Sequence, residues 1–119
     1  MIGVPICEEI WNDLGVCETL AETGAEILLV PNGSPYYRGK LDVRYQVAVR
    51  QVIESGLPLV FANQVGGQDE LVFDGGSFVL GADRKLKAKL AWHAWPFMNA
   101  LANGLKPEKW PSNLNCRAK

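Results

Sequence analysis

Ile27-Leu28-Leu29-Val30 is a continuous apolar run inside a predicted strand that spans residues 26–31. A strand without alternating polar residues is typical of a parallel sheet that is covered on both faces. Four further segments complete the pattern, namely two predicted strands, residues 2–6 and 58–63, and two predicted helices, residues 11–23 and 40–55. The order β-α-β-α-β indicates an α/β fold.

The segment after the third strand is rich in turn residues. Gly66-Gly67 and Asp74-Gly75 both predict turns, because glycine and aspartate are favoured where the chain reverses. Residues 70–73 and 77–80 are short apolar segments on either side of Asp74-Gly75. They predict a β-hairpin closed at that dipeptide.

Cys7 stands where the first predicted strand gives way to a helix. A sharp strand-to-helix turn holds its side chain out at the end of a sheet, which is a position suited to a nucleophile. The positive end of the helix dipole favours the thiolate, whereas the adjacent Glu8 and Glu9 carboxylates disfavour it. The alternative is that Cys7 is a small buried apolar residue.

Charge divides the chain into two unlike parts. Residues 1–83 carry four basic and twelve acidic residues, a net charge of 4 − 12 = −8, and residues 84–119 carry eight basic and one acidic residue, 8 − 1 = +7. Three of the four tryptophans lie in the basic part. The sequence therefore predicts a domain portion at residues 1–83 and a basic, Trp-rich tail of different origin at residues 84–119.

Composition excludes several classes. A chain of 119 residues with 48% hydrophobic content holds one small domain at most. It contains no apolar run of about 20 residues and no secretory signal pattern, so a cytoplasmic location without membrane contact is expected. One histidine and three unevenly spaced cysteines predict no metal site. The scattered lysines of the tail are more typical of a solvated surface than of nucleic-acid binding.

Three segments resemble the nitrilase (carbon–nitrogen hydrolase) superfamily. They are Gly-Val-Pro-Ile-Cys-Glu-Glu-Ile-Trp at residues 3–11, Val-Pro-Asn-Gly-Ser-Pro-Tyr at residues 30–36, and Phe-Ala-Asn-Gln-Val-Gly-Gly-Gln-Asp-Glu-Leu-Val-Phe-Asp-Gly at residues 61–75. The third is the most specific, and it is similar to the glutaminase domain of glutamine-dependent NAD+ synthetases. The resemblance covers residues 2 to about 82 and implies the C-terminal part of a nitrilase-like αββα sandwich.

The resemblance also implies a chemistry, the hydrolysis of the L-glutamine side-chain amide through a cysteine thioester. Cys7 matches the nucleophile, and the backbone N–H of Glu8 is an expected donor to the oxyanion. Ser34 and Lys40 match positions that contact glutamine. Each also has a structural alternative, since a serine in a turn bonds its own backbone and a lysine at a helix start is solvated.

In that family the base is a glutamate and a lysine completes the triad, both well upstream of the cysteine, and neither has a match in these 119 residues. The chain alone is therefore expected to be inactive. The glutaminase chemistry needs no cofactor, whereas ATP and deamido-NAD+ would serve a synthetase domain, for which the chain has no Gly-x-x-x-x-Gly-Lys-Ser/Thr loop. The synthetase domain and an oligomer are expected for the parent protein.

Two other interpretations remain. The chain could be a fragment of another nitrilase-type amidase, or a catalytically incompetent remnant that acts at most as an interaction module. For the tail, the alternatives are a change of reading frame near residue 83 and a divergent extension.

Overall fold

The computed structural model describes residues 1–13 and 15–90. In chain order it contains a short strand β1 (Ile2–Gly3), a single 3₁₀ turn (Cys7–Ile10), helix α1 (Val16–Glu22), strand β2 (Ile27–Asn32), helix α2 (Lys40–Ser55), and strands β3 (Leu59–Asn63), β4 (Val65–Gln68), β5 (Leu71–Asp74), β6 (Phe78–Leu80) and β7 (Leu86–Lys89).

The strands form a mixed sheet of five and a separate pair. The sheet has the order β1-β2-β3-β6-β7, and β4 pairs with β5. Strands β1, β2 and β3 run parallel, joined by α1 and α2, whereas β6 and β7 run antiparallel to their neighbours. The predicted α/β organisation is confirmed, and α2 has the bounds predicted from the sequence.

The predicted helix at residues 11–23 is only partly correct. The chain makes one 3₁₀ turn from Cys7 and begins α1 at Val16, after Gly15 in a left-handed conformation with φ 66°. Polar Asn12 and Asp13 and this glycine separate the two helical pieces, and Leu14 lies outside the described residues. Cys7 therefore does not gain the dipole of a long helix, contrary to the expectation from sequence.

The predicted hairpin around Asp74-Gly75 is wrong. Strand β5 pairs with β4, and β6 pairs with β3, so the two segments belong to different sheets. Gly75 and Gly76 both adopt left-handed conformations, with φ 67° and 66°, and redirect the chain between the sheets. Gly66 and Gly67 lie within β4, and the tight turn falls at Asp69 instead.

The hydrophobic core lies on one face of the sheet. Helix α2 packs Ala48 and Val52 into a cluster with Leu28, Phe61 and Phe78. Burial alternates along β2, with Leu28 fully buried and Leu29 38% exposed. The prediction of a strand covered on both faces is therefore wrong for the described residues, because α1 and α2 both lie on the same side.

The sheet continues past residue 83, where the charge of the sequence changes sign. Strand β7 pairs with β6 and forms the edge of the sheet, and it carries Lys87 and Lys89. Charged side chains on an edge strand discourage pairing with another chain. The remainder of the predicted tail, residues 91–119, lies outside the described residues.

Candidate functional site

Cys7 occupies a strained turn. It follows Val4-Pro5-Ile6 at the end of β1 and adopts φ 47°, a left-handed conformation that costs a non-glycine residue about 1–3 kcal/mol. Its thiol is partly exposed. This geometry agrees with the strand-to-helix elbow expected from sequence, and it presents the sulfur at the carboxyl-end edge of the parallel strands.

The two carboxylates that follow Cys7 differ in their surroundings. Glu9 Oε2 accepts a hydrogen bond from the backbone N–H of Ile6 at 2.5 Å, which closes the elbow on itself. Glu8 instead lines the pocket beside Cys7. Two backbone hydrogen bonds hold the turn, from Glu9 N–H to Ile6 O and from Trp11 N–H to Glu8 O. The N–H of Glu8 takes part in neither bond.

Ser34 lies in the loop between β2 and α2 and is almost fully buried. Its backbone N–H donates to Asn63 Oδ1 at 2.9 Å, and Asn63 Nδ2 donates back to Ser34 O at 3.2 Å. These two bonds fix the loop to the carboxyl end of β3. The structural alternative for Ser34, a hydroxyl bonded to its own turn, does not hold, because Ser34 Oγ accepts its bond from a distant side chain, Arg44.

Lys40 is the first residue of α2, where the positive end of the dipole disfavours a cation. Its Nζ lies 4.5 Å from the ring centroid of Trp11 and 4.4 Å from that of Tyr37. Cation–π attraction of this kind contributes about 0.5–1 kcal/mol at exposed sites and more when desolvated. Lys40 is therefore held in place by aromatic rings and is not a freely solvated charge.

One pocket brings these residues together. It has a volume of about 340 Å³, and its walls are formed by eight residues, Cys7, Glu8, Trp11, Asn12, Gly33, Ser34, Pro35 and Lys40. All four site residues predicted from the sequence line it. The pocket combines a thiol, a hydroxyl and an ammonium within a space that accommodates a small polar molecule.

A buried ionic network beneath the pocket is not predicted from the sequence. Arg44 on α2 is fully buried and its guanidinium pairs with Asp74, with Nη1 3.0 Å from Oδ2 and Nη2 2.9 Å from Oδ1. The same guanidinium donates to Ser34. The sequence signal for the burial of Arg44 is its helical position, since Arg44 lies one turn before Ala48 on the buried face of α2.

Cys17 lies outside the pocket, buried in the core. Burial raises the pKa of the Cys17 thiol to about 11, and the carboxylates of Glu54, Glu9 and Glu18 add to the effect. A thiol of that pKa is unreactive near neutral pH. Of the two cysteines within residues 1–13 and 15–90, Cys7 is the one placed for chemistry.

Comparison with known proteins decides the family. The family model of carbon-nitrogen hydrolases matches residues 1–95. The chain belongs to the carbon-nitrogen hydrolase family. A glutamine-dependent NAD(+) synthetase of Rhodobacter capsulatus is 55% identical over 89 residues, which are 75% of this chain and 16% of the relative. The chain thus spans about a sixth of the length of that curated relative.

Solved carbon-nitrogen hydrolases confirm the fold class, a partial nitrilase-like α/β structure. A glutamine-dependent NAD+ synthetase from Acinetobacter baumannii superimposes with a TM-score of 0.68 and 38% identity, covering 75% of this chain and 17% of that one. A variant of an amidase from Nesterenkonia sp. AN1 gives a TM-score of 0.67 and 26% identity over 76% of this chain and 34% of its own. That variant shows covalent addition of the acetamide moiety of fluoroacetamide at its active site cysteine.

The family match extends further than the motifs alone indicate. It ends at residue 95, beyond the limit near residue 82, and it includes β7. The boundary at residue 83 and the two alternatives for the origin of residues 84–119 stay predictions.

Two features of other protein classes are absent from the described residues. Within residues 1–13 and 15–90, no helix is long and apolar enough to cross a bilayer. In the same ranges no group of three or more histidine, cysteine, aspartate or glutamate residues is placed to hold a metal ion.

Proposed function

We propose that this chain forms the nucleophile side of a glutamine amidohydrolase site, within the ammonia-supplying domain of a glutamine-dependent NAD+ synthetase. The observation that carries the proposal is the strained Cys7 turn opening on a pocket that also contains Ser34 and Lys40. The relatives in Rhodobacter capsulatus and Acinetobacter baumannii support glutamine as the substrate, since their names state that dependence.

The proposed reaction begins with attack of the Cys7 thiolate on the side-chain amide carbon of L-glutamine. A carbon–sulfur bond forms, the carbonyl oxygen becomes an oxyanion, and the backbone N–H of Glu8 donates to it. The oxyanion then collapses, the protonated nitrogen leaves as ammonia, and water cleaves the thioester to release L-glutamate and the thiol. The resemblance assigns the base and a cationic donor to a glutamate and a lysine that match no residue of this chain.

Ser34 and Lys40 are proposed to bind the amino-acid end of glutamine. Both lie on the pocket wall with Cys7, and the rings of Trp11 and Tyr37 hold the ammonium of Lys40 in position. A fixed cation binds a carboxylate with less loss of side-chain entropy than a mobile one.

The cellular context is part of the same proposal. The cysteine chemistry uses no cofactor, and ATP and deamido-NAD+ are substrates of the synthetase part of the parent protein. The parent is proposed to be a cytoplasmic oligomer that binds neither membranes nor nucleic acids.

A general nitrilase-type amidase is the second candidate, favoured by the likeness to the Nesterenkonia amidase. The two candidates differ in the ligand that the pocket accepts. An amidase for simple amides has no need for a carboxylate partner, whereas a glutaminase discriminates glutamine from propionamide.

The test is alkylation of Cys7 by iodoacetamide at pH 8, followed by mass spectrometry of the intact chain and its peptides. We expect modification at Cys7 and not at Cys17, and we expect L-glutamine to slow it while propionamide at the same concentration does not. Cys7→Ser provides the control for labelling elsewhere. Equal protection by both amides would favour the general amidase, and the absence of protection by glutamine would refute the glutaminase proposal.

A further inference from the structure

Arg44 connects three separate parts of the chain at one buried point. It lies on α2 and contacts Ser34 in the β2–α2 loop and Asp74 at the end of β5, residues that are 10 and 30 positions away in sequence. All three side chains are almost fully buried. Burial of an ion pair is costly unless its hydrogen-bonding groups are satisfied, and this guanidinium donates from each of its three nitrogens. Asp74 Oδ2 accepts one of these bonds, whereas Oδ1 takes part in the ion pair alone.

The bond between Arg44 and the Ser34 hydroxyl has a fixed direction. Arg44 Nε lies 3.1 Å from Ser34 Oγ, and a guanidinium donates hydrogen bonds but accepts none. Ser34 Oγ must therefore be the acceptor in this bond. A hydroxyl carries a single hydrogen, and no group within residues 1–13 and 15–90 accepts that of Ser34.

The backbone around Ser34 is fixed as well. Arg44 Nη2 donates to Ser34 O at 2.7 Å, and Asn63 donates to the same oxygen at 3.2 Å. Because Ser34 Oγ accepts the bond from Arg44 Nε, its own hydrogen is directed away from Arg44. Ser34 lines the pocket with Lys40, so the two side chains together present hydrogen-bond donors to whatever the pocket binds.

We infer that Arg44 is a positioning residue that makes Ser34 a hydrogen-bond donor to the ligand, and that this side of the pocket is thereby selective for an anionic acceptor such as a carboxylate. Asp74 orients the guanidinium through a hydrogen bond from Nη1 to Oδ2 at 3.0 Å and through the ion pair of Oδ1 with Nη2 at 2.9 Å. The inference rests on the proposed function, because L-glutamine is the probe that carries the carboxylate.

The experiment compares two ligands that differ only in charge at that end, L-glutamine and L-glutaminamide, whose α-carboxylate is replaced by a neutral amide. Each is titrated against the rate of Cys7 alkylation in the full 119-residue chain. The measured quantity is the ratio of the two half-protection concentrations. We expect wild type to favour glutamine about 10-fold or more, since hydrogen bonds to charged groups are stronger than those to neutral groups.

Three variants test the role of Arg44. Arg44→Met combined with Asp74→Leu removes both buried charges and avoids leaving one unpaired. We expect the preference for glutamine to fall to about 2-fold, with protection by glutaminamide little changed. Arg44→Lys, which can donate to Ser34 but lacks the planar fork, is expected to restore part of the preference. Ser34→Ala leaves the Arg44–Asp74 pair intact and is expected to lose the preference too, so the test stands if the double variant does not fold.

A matched control separates positioning from packing. Gln51 is a buried polar residue of the same helix that donates to Ile10 O at 2.9 Å and does not contact Ser34. Gln51→Met is expected to weaken the protection by both ligands equally, if at all. An unchanged preference in folded Arg44 variants and in Ser34→Ala would overturn the inference and leave the proposed function standing, whereas no protection of wild type by glutamine would refute both.

Discussion

At the scale of single residues, Cys7 and Cys17 have the same side chain but different surroundings. Cys7 is strained and partly exposed, and Cys17 is buried in the core. The difference arises from backbone placement, because the elbow lifts Cys7 out of the sheet while α1 turns Cys17 inward. Reactivity of a cysteine follows thiolate character and access, and both are lowered at Cys17.

The raised pKa of Cys17 predicts a loss of stability in alkali. Below about pH 9 both folded and unfolded chains hold the proton, and the pKa difference has no effect. Between the ordinary value of 9.0 and about 11 the unfolded chain releases the proton and the folded chain retains it, so the free energy of unfolding falls as pH rises. At pH 10 the loss is about 1 kcal/mol.

Urea unfolding at pH 8 and pH 10 measures this effect. The midpoint is expected to fall less between the two pH values in Cys17→Ala than in wild type, irrespective of the absolute stability of the variant. Measurements stop at pH 10 because burial also raises the pKa of Tyr45. Parallel midpoint changes in the two proteins would contradict the assignment.

Replacing Lys40 with methionine tests its role in binding. We expect Lys40→Met to raise the concentration of glutamine that protects Cys7 by about 10-fold, because a charged partner of the ligand is lost. Stability is expected to change by about 1 kcal/mol or less, since the ammonium contacts rings at the rim of the fold. Lys85→Met, an exposed substitution away from the pocket, is the control and leaves protection unchanged. Equal protection in the two variants would exclude Lys40 from the binding site.

At the scale of elements, the sequence predicts what local patterns determine. The bounds of α2 follow from its regular apolar spacing and from Gly56, and the Cys7 elbow follows from the apolar segment at residues 2–6 that precedes it. Strand pairing is not determined by local pattern. Strands β5 and β6 carry similar apolar residues, and their sequences are compatible with pairing to each other as well as with the observed pairing to β4 and β3. Two consecutive left-handed glycines decide the outcome, and their φ values cannot be read from composition.

Charged residues of the core are equally hidden from sequence. Arg44 and Asp74 look like surface charges until the fold brings them together from positions 30 residues apart. The family resemblance points to Cys7, Ser34 and Lys40, which line the pocket. The spacing of Arg44 and Asp74 carries no periodic signal, so the network that holds Ser34 is missed.

Gly75, which lies between the two sheets, combines a left-handed conformation with a close contact that leaves no room for a side chain. A Cβ there would lie 2.7 Å from Val65 Cγ2, and the residue has φ 67°. Gly75→Ala is expected to lower the free energy of unfolding by about 2–3 kcal/mol, through left-handed strain and a clash with β4. Gly56→Ala has nearly the same φ, 71°, with no heavy atom within 4 Å, so it measures the strain alone at about 1 kcal/mol. If denaturant titrations give the same loss of unfolding free energy for both variants, the contact with Val65 does not add to the destabilisation.

At the scale of the whole molecule, the described chain has one closed and one open face. Helices α1 and α2 close the first, and the second presents Leu29 on β2 with an apolar depression of about 230 Å³ lined by Val60, Ala62, Val79 and neighbouring residues. A nitrilase-like sandwich stacks two sheets, and the chain spans about a third of the amidase structure it matches.

The open face predicts self-association of the purified chain. Exposed apolar surface of this kind is unfavourable in water and is removed by association. Sedimentation velocity is expected to show concentration-dependent assembly in wild type, shifted toward monomer in Leu29→Lys. Ile53→Lys introduces the same charge at an exposed position of α2, on the opposite side, and serves as the control. A monodisperse wild-type monomer, or an equal shift in both variants, would contradict the prediction.

Catalysis by the isolated 119-residue chain is expected to be unmeasurable. The proposed mechanism needs a base and a cationic oxyanion donor that match no residue here, and loss of each costs about 10²–10⁴ in rate. Coupled detection of ammonia from L-glutamine provides the measurement. Release that disappears in Cys7→Ser would show that other groups of the chain supply those functions.

The position of Lys40 over two aromatic rings has a spectroscopic consequence. Its Nζ lies over the rings of Trp11 and Tyr37, 4.5 Å and 4.4 Å from their centroids, and we expect the adjacent methylene protons to fall in the shielding region of both ring currents. Their proton resonances should be displaced upfield from those of the solvated lysines. A ligand that draws the ammonium toward itself changes this displacement, so the proton chemical shifts of Lys40 report whether the pocket is occupied.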